Sequence, residues 1–245
     1  MTHLLDKALA AHGGLERWTR VDALDLSLSI TGGIWHVKGQ PHLLEHISAS
    51  VMTREPRVLV TFESGAYSSA DWTPERTVLT TTSGETLERT HAREHFDGQF
   101  IASPWDPLDA VYFCSYAIWT YFNSPFLFAK PGNVLRDIGP WQEGGETWSR
   151  LHITFAEGLV THGRHAVAYF DDSGLLRRYD YVVDIMGGAT GANYAHGYAD
   201  CTGLLIPQHR QVFGYDEQGR PQSTLLVDIE VLSTTIVFAE GTASA

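Results

Sequence analysis

The run PWDPLDAVYFCSYAIWTYFNSPFLF, residues 104 to 128, is apolar or aromatic nearly all round. Pro107 stands near its start, where a proline suits the first turn of a helix. Tyr112, Phe113, Tyr116, Trp119, Tyr121 and Phe122 leave no polar stripe, so such a helix has no face to give to water. It must be covered on most sides, and the rest of the chain offers the cover in one form, short runs of alternating character. Leu24, Leu26, Leu28 and Ile30 alternate with Asp25, Ser27, Ser29 and Thr31, the period of a half-buried strand. Strand-like runs recur at 42–52, 57–64, 148–156, 164–172, 175–186, 209–216 and 225–238. Turn chemistry follows at Asp172-Ser173-Gly174 and Gln218-Gly219-Arg220, and Gly32-Gly33 reads as a hairpin turn into a strand over IWHVKG. Leu4, Leu5, Ala8, Leu9 and Ala11 have helical spacing, broken at Gly13-Gly14 and resumed at Leu15 and Trp18. The expected fold is mainly β, of the α+β kind: a strongly curved antiparallel sheet or partial barrel enclosing one or more helices.

With 245 residues, 43% of them hydrophobic, the chain is expected to form a single domain over residues 1–245. The net charge of -12 comes from 29 acidic against 17 basic residues without a Lys/Arg cluster, which argues against nucleic acid as a partner. Cys114 and Cys201 are far apart, a pattern of free thiols in a reducing compartment rather than a disulfide framework. The first residues, MTHLLDK, lack the apolar core of a secretory signal. No window reaches the ~18 apolar residues of a membrane span. A cytoplasmic location is therefore expected.

The N-terminal helix ahead of a meander, followed by AVAYFDDSGLLRRYDYVV and then YADCTGLLIPQHRQVFGYDEQGRPQ, resembles the lipoprotein-carrier fold of the LolA/LolB type. In that group a hairpin F-D-x-x-G-L-L-x-R precedes a strand that starts G-x-x-x-P, as Phe170 to Arg178 and Gly203 to Pro207 do here. The combination of the aromatic run with PWQEGGETW and GLLRRYDY also resembles a group of uncharacterised bacterial proteins. The resemblance implies a curved sheet around an apolar pocket. A violacein-pathway enzyme has that same fold, so the resemblance admits both a carrier and a catalyst.

The stretch HAREH, residues 91 to 95, spells His-x-x-Glu-His, the zinc signature of one metallopeptidase group. A zinc site needs His91 and His95 on one helical face and a third ligand. Leu87, Ala92 and Phe96 make no stripe, and no third ligand is identifiable, so the expectation is a solvated loop or hairpin with no metal. MGGATGAN, residues 186 to 193, lacks the G-x-G-x-x-G order, and neither a P-loop lysine nor G-x-S-x-G occurs. No cofactor is expected, and this glycine-rich stretch reads as a loop at the cavity mouth.

A hydrophobic small molecule in an internal cavity is the expected partner, its wall formed by Tyr116, Trp119, Tyr194, His165 and Tyr181. The alternative is a cofactor-independent enzyme in the same cavity, with His196, Tyr198 and Arg178 as acid–base and polarising groups. In GLLRRYDYVV, Arg178, Asp180 and Val182 fall on one face of a strand while Tyr179, Tyr181 and Val183 fall on the other. The lumen therefore receives either charge or phenols, and sequence leaves both open.

Overall fold

The computed structural model describes residues 2–239. Its frame is one antiparallel sheet of 13 strands, in the order β6-β5-β4-β3-β2-β1-β13-β12-β11-β10-β9-β8-β7. The chain enters through α1 (His3–Ala11) and α2 (Leu15–Trp18), then lays down β1 (Val21–Thr31) near the middle of the sheet. The strands β2 (Ile47–Met52), β3 (Val58–Phe62), β4 (Tyr67–Trp72), β5 (Arg76–Thr81) and β6 (Thr86–Thr90) meander to one edge. A central helix, α4 (Pro107–Asn123), then carries the chain to the opposite edge. From there β7 (Val134–Glu143), β8 (Glu146–Thr154), β9 (His165–Phe170), β10 (Leu176–Val183), β11 (Ala189–Cys201), β12 (Leu204–Tyr215) and β13 (Pro221–Phe238) meander back, until β13 pairs with β1. Register shifts interrupt the β1–β13, β9–β10 and β12–β13 ladders, and such bulges bend and twist a sheet. The two edge strands, β6 and β7, remain unjoined, so the barrel is partial.

The central helix forms where the sequence places it. Asp106 accepts from the Asp109 amide while the Asp109 side chain accepts from the Asp106 amide, and Pro107 occupies the first turn. Every residue from Leu108 to Asn123 is buried. Trp119 fixes the helix to the sheet by donating from its indole to the carbonyls of Met52 (2.9 Å) and Glu55 (3.0 Å).

Two expectations are corrected. IWHVKG is not a strand. Gly33–Val37 forms a short helix, α3, with Lys38 buried behind it and donating to the carbonyls of Phe100 and Ser103. The strand β1 finds its partner further on, in β2. The glycine-rich stretch after Met186 is not a mouth loop either, since Ala189–Cys201 is an interior strand paired on both sides. Only Gly187 and Gly188 turn, both at positive φ. Gly191 serves another purpose: a Cβ there would lie 2.4 Å from Cε2 of Tyr181, so the missing side chain leaves room for that ring.

Candidate functional site

The two faces of β10 have separate surroundings. Tyr179 and Tyr181 point towards the central helix, where Tyr179 lies 5.8 Å from the Phe128 ring and Tyr181 shares a short hydrogen bond with the Tyr121 hydroxyl. His162, in the loop between β8 and β9, stacks on Tyr181 with ring centroids 3.8 Å apart and brings Nε2 to 2.8 Å from the Tyr121 hydroxyl. Arg210 comes from β12, opposite Ala195 of β11. It donates from Nη2 to the Tyr121 carbonyl (2.9 Å) and from Nη1 to Oδ1 of Asn193 (3.3 Å), with its guanidinium over the Tyr121 and Phe122 rings. Tyr116 closes the group, its ring 5.0 Å from that of His162. All of these side chains are buried.

Burial sets the electrostatics of this cluster. It holds the His162 imidazole well below its ordinary pKa, with Arg93 nearby adding to the effect, so the ring is neutral at pH 7. It raises the phenols of Tyr121 and Tyr181 above their ordinary range, so both remain protonated. Arg210 has no carboxylate within ion-pair distance among the described residues, and desolvation presses its pKa down. Hydrogen-bonding capacity is left over. Nδ1 of His162, Nδ2 of Asn193, Nε of Arg210 and the hydroxyls of Tyr112, Ser115, Tyr116 and Tyr179 are buried without a protein partner. Such atoms are rare in a folded interior and mark places where a ligand or water completes the network. A neutral imidazole against a phenol can also pass a proton.

The residues expected from sequence are not brought to one place. Arg178 projects from the other face of β10 and is fully buried there in an ion network. It grips Asp180 with Nε and Nη2 (2.7 and 2.8 Å), Glu143 with Nη1 (2.7 Å) and the Gly219 carbonyl with Nη2 (2.6 Å). The rings of Trp141, Tyr169 and Tyr194 surround it, and Tyr194 donates to Glu143. This is a clasp that fastens the β7–β8 and β12–β13 turns over the outer face, with no free donor arm for chemistry. His196 lies beside it, parallel to the Tyr194 ring at 6.2 Å, and 6.0 Å from His209. Tyr198 is separate again, donating to the Leu176 carbonyl (2.6 Å) and meeting His12 edge-on. His165 is exposed, bonded to Thr154 and beside His152. It lines an open outer groove of about 610 Å³ with Tyr169, Asp180 and Tyr215. Of the expected ligand wall, Tyr116 and Tyr181 join the interior cluster, whereas Trp119 anchors the helix.

His162, Tyr121, Asn193 and Arg210 were not singled out by sequence as one site. Arg210 carried a usable signal. The inward phase of β12 reads Leu204, Ile206, Gln208, Arg210, Val212, and a charge in an apolar phase demands an explanation.

The HAREH stretch is a single 3-10 turn, Ala92–Phe96, entered through His91 in the left-handed region at φ 50°. His91 is exposed and faces Glu94, while His95 approaches Asp109 (3.6 Å). The two histidines therefore share no helical face. By proximity two groups could hold a metal ion, His95 with Asp106 and Asp109, and His209 with Asp228 and Glu230. In the first, Arg89 already bridges both carboxylates. In the second, His209 bonds Asp228 (2.7 Å) on the outer face, away from the interior cluster.

No family model and no curated protein sequence matches the chain. Solved structures do. A LolA superfamily protein of Nitrosomonas europaea superposes with a TM-score of 0.53 at 8% identity, over 96% of this chain and 93% of that one. A candidate outer membrane lipoprotein-sorting protein domain of Vibrio parahaemolyticus gives 0.55 at 9% identity, over 99% and 92%. A DUF1329 family protein of Desulfovibrio piger gives 0.55 at 11% identity, over 97% and 92%. At such identities the likeness concerns the backbone, and what it establishes is that this chain has a LolA-like fold, a curved open antiparallel sheet around a central helix.

Proposed function

We propose that the protein binds a hydrophobic small molecule on the inner side of the sheet, between the central helix and strands β10 to β12. One observation carries the reading: a polar cluster of His162, Tyr121, Tyr181, Asn193 and Arg210 is buried in an aromatic interior with donors and acceptors unused. An unpaired buried polar group costs ~1–3 kcal/mol, and a few convergent polar groups in an apolar setting are what orients a small ligand. The lipoprotein-sorting description of the Vibrio neighbour fits a ligand with an acyl chain.

The way in is over His162. Its neighbours Thr161 and Gly163 line a surface cleft of about 250 Å³ with Phe155, Leu159 and Asp184. Arg93 holds this loop by donating to the carbonyls of Thr161 (3.1 Å) and His162 (3.4 Å) and by pairing with Asp184. Displacement of the loop admits the ligand.

A second reading, an acid–base enzyme in the same place, is favoured by the contact between neutral His162 and the Tyr121 hydroxyl. The test of the first is titration with Nile red, an uncharged apolar fluorophore. Saturable one-site binding that an Ala195→Leu substitution weakens supports it, and no saturable binding refutes it. For the second, Tyr121→Phe should keep binding of an identified substrate and cut turnover roughly 10²–10⁴-fold.

A further inference from the structure

We infer that the molecule held in this interior is an anionic amphiphile, whose carboxylate or phosphate head is received by Arg210 and Asn193 while its tail lies among the aromatic side chains. The inference rests on the binding reading above and names the ligand class.

The reason is the company Arg210 keeps. It is 1% exposed, and a guanidinium stays protonated in a protein interior. Two other cations near the core have carboxylate partners, whereas Lys38, like Arg210, has oxygen acceptors alone. Arg178 has Asp180 and Glu143, Arg89 has Asp106 and Asp109, and Lys38 rests on two carbonyls. The chain has 29 acidic residues to draw on, yet among the described residues none pairs with Arg210, which meets instead the Tyr121 carbonyl, Asn193 and the rings of Tyr121 and Phe122. A buried charge without a counterion is among the least favourable arrangements in a protein.

The unused donors lie on the same two residues. Of the five N–H bonds of Arg210, one goes to the Tyr121 carbonyl and one to Oδ1 of Asn193, and Nε finds no acceptor. Because Asn193 turns its oxygen to the guanidinium, its Nδ2 amide is left towards the Tyr121 hydroxyl, beyond full hydrogen-bond geometry. The Nε edge of a guanidinium is one side of the fork that holds carboxylates and phosphates with two parallel bonds. The rings of Tyr121 and Phe122 lie under the guanidinium, and Tyr179 and Phe128 continue the aromatic surface beyond Tyr121. They suit an alkyl or isoprenoid tail and offer no competing anion.

The experiment compares four probes on the intact protein by calorimetry: dodecanoate, dodecyl phosphate, dodecanol and acetate. The expected result is that dodecanoate or dodecyl phosphate binds ~10- to 100-fold tighter than dodecanol, the worth of a charge-assisted hydrogen bond. Whichever of the two is tighter identifies the head group. Acetate alone should bind weakly, because the tail contributes. Arg210→Met should bring dodecanoate down to the affinity of dodecanol for the same variant. Should that variant not fold, the wild-type comparison of acid with alcohol decides. Equal binding of acid and alcohol overturns the anionic head and leaves the pocket standing. Binding of neither removes the pocket, and this inference with it.

Discussion

Trp119 offers the sharpest test of how the central helix is held. The side chain is fully buried, and its indole N–H reaches the carbonyls of Met52 and Glu55, at the turn between β2 and β3. An indole buries on the order of 200 Å², which at ~25 cal/mol per Å² is roughly 5 kcal/mol, of which alanine retains a small part. Loss of the hydrogen bond adds ~1 kcal/mol. Trp119→Ala should therefore cost about 4–6 kcal/mol, near the upper end for buried aromatic truncations. Since whole domains have only ~5–15 kcal/mol, the informative partner is Trp119→Phe, which keeps most of the apolar contact and should cost ~1–2 kcal/mol. Urea unfolding followed by far-UV circular dichroism measures both. A loss below ~1 kcal/mol for Trp119→Ala would place the ring outside the core and refute the reasoning.

Gly191→Ala would put a methyl against Cε2 and Cζ of Tyr181. It should cost ~1–3 kcal/mol in a melt and weaken Nile red binding through the displaced ring; unchanged stability and binding would contradict this. Arg178→Ala should cost ~3–5 kcal/mol by stranding Asp180 and Glu143, and a neutral result in urea unfolding would mean the clasp is ornamental. His12 is 2% exposed, and burial lowers its pKa from 6.5 to about 4. Because the folded value lies below the unfolded one, the unfolded chain takes up the proton first. Stability is then complete above pH 6.5 and falls between pH 6.5 and 4, by about 3 kcal/mol from this group alone. His12→Gln should flatten that part of the profile, and an unaltered slope would assign it to other groups.

Sequence disclosed the frame better than the site. The central helix was legible because a strongly apolar run behind Asp106-Pro107 has one solution, burial inside a sheet. The alternation of β1 was equally plain. The threonine- and serine-rich strands β4 to β6 were not, since TVLTTTSGETLERT carries little apolar contrast. Gly187, Gly188, Gly191 and Gly197 together imitate a loop, although only the first two turn the chain between strands. The faces of β10 stayed undecided because phenols and a paired Arg–Asp both tolerate burial, and the outcome depends on whether Glu143, 35 residues away, folds over Arg178. The interior cluster is drawn from α4, a loop and three strands. His162 lies 41 residues from Tyr121, and Arg210 lies 89 from it. No local spacing marks such a set, and it emerges only when the sheet closes its inner face on the helix.

The most direct measurement is a crystal structure of the protein soaked with an ω-bromo fatty acid, with the bromine located by anomalous scattering. The ligand is expected on the inner side of the sheet, its carboxylate on Arg210 and Asn193 and its bromine among the aromatic side chains of the central helix. Bromine found instead in the outer groove beside His152, His165 and Tyr215, or at no ordered position, would contradict it.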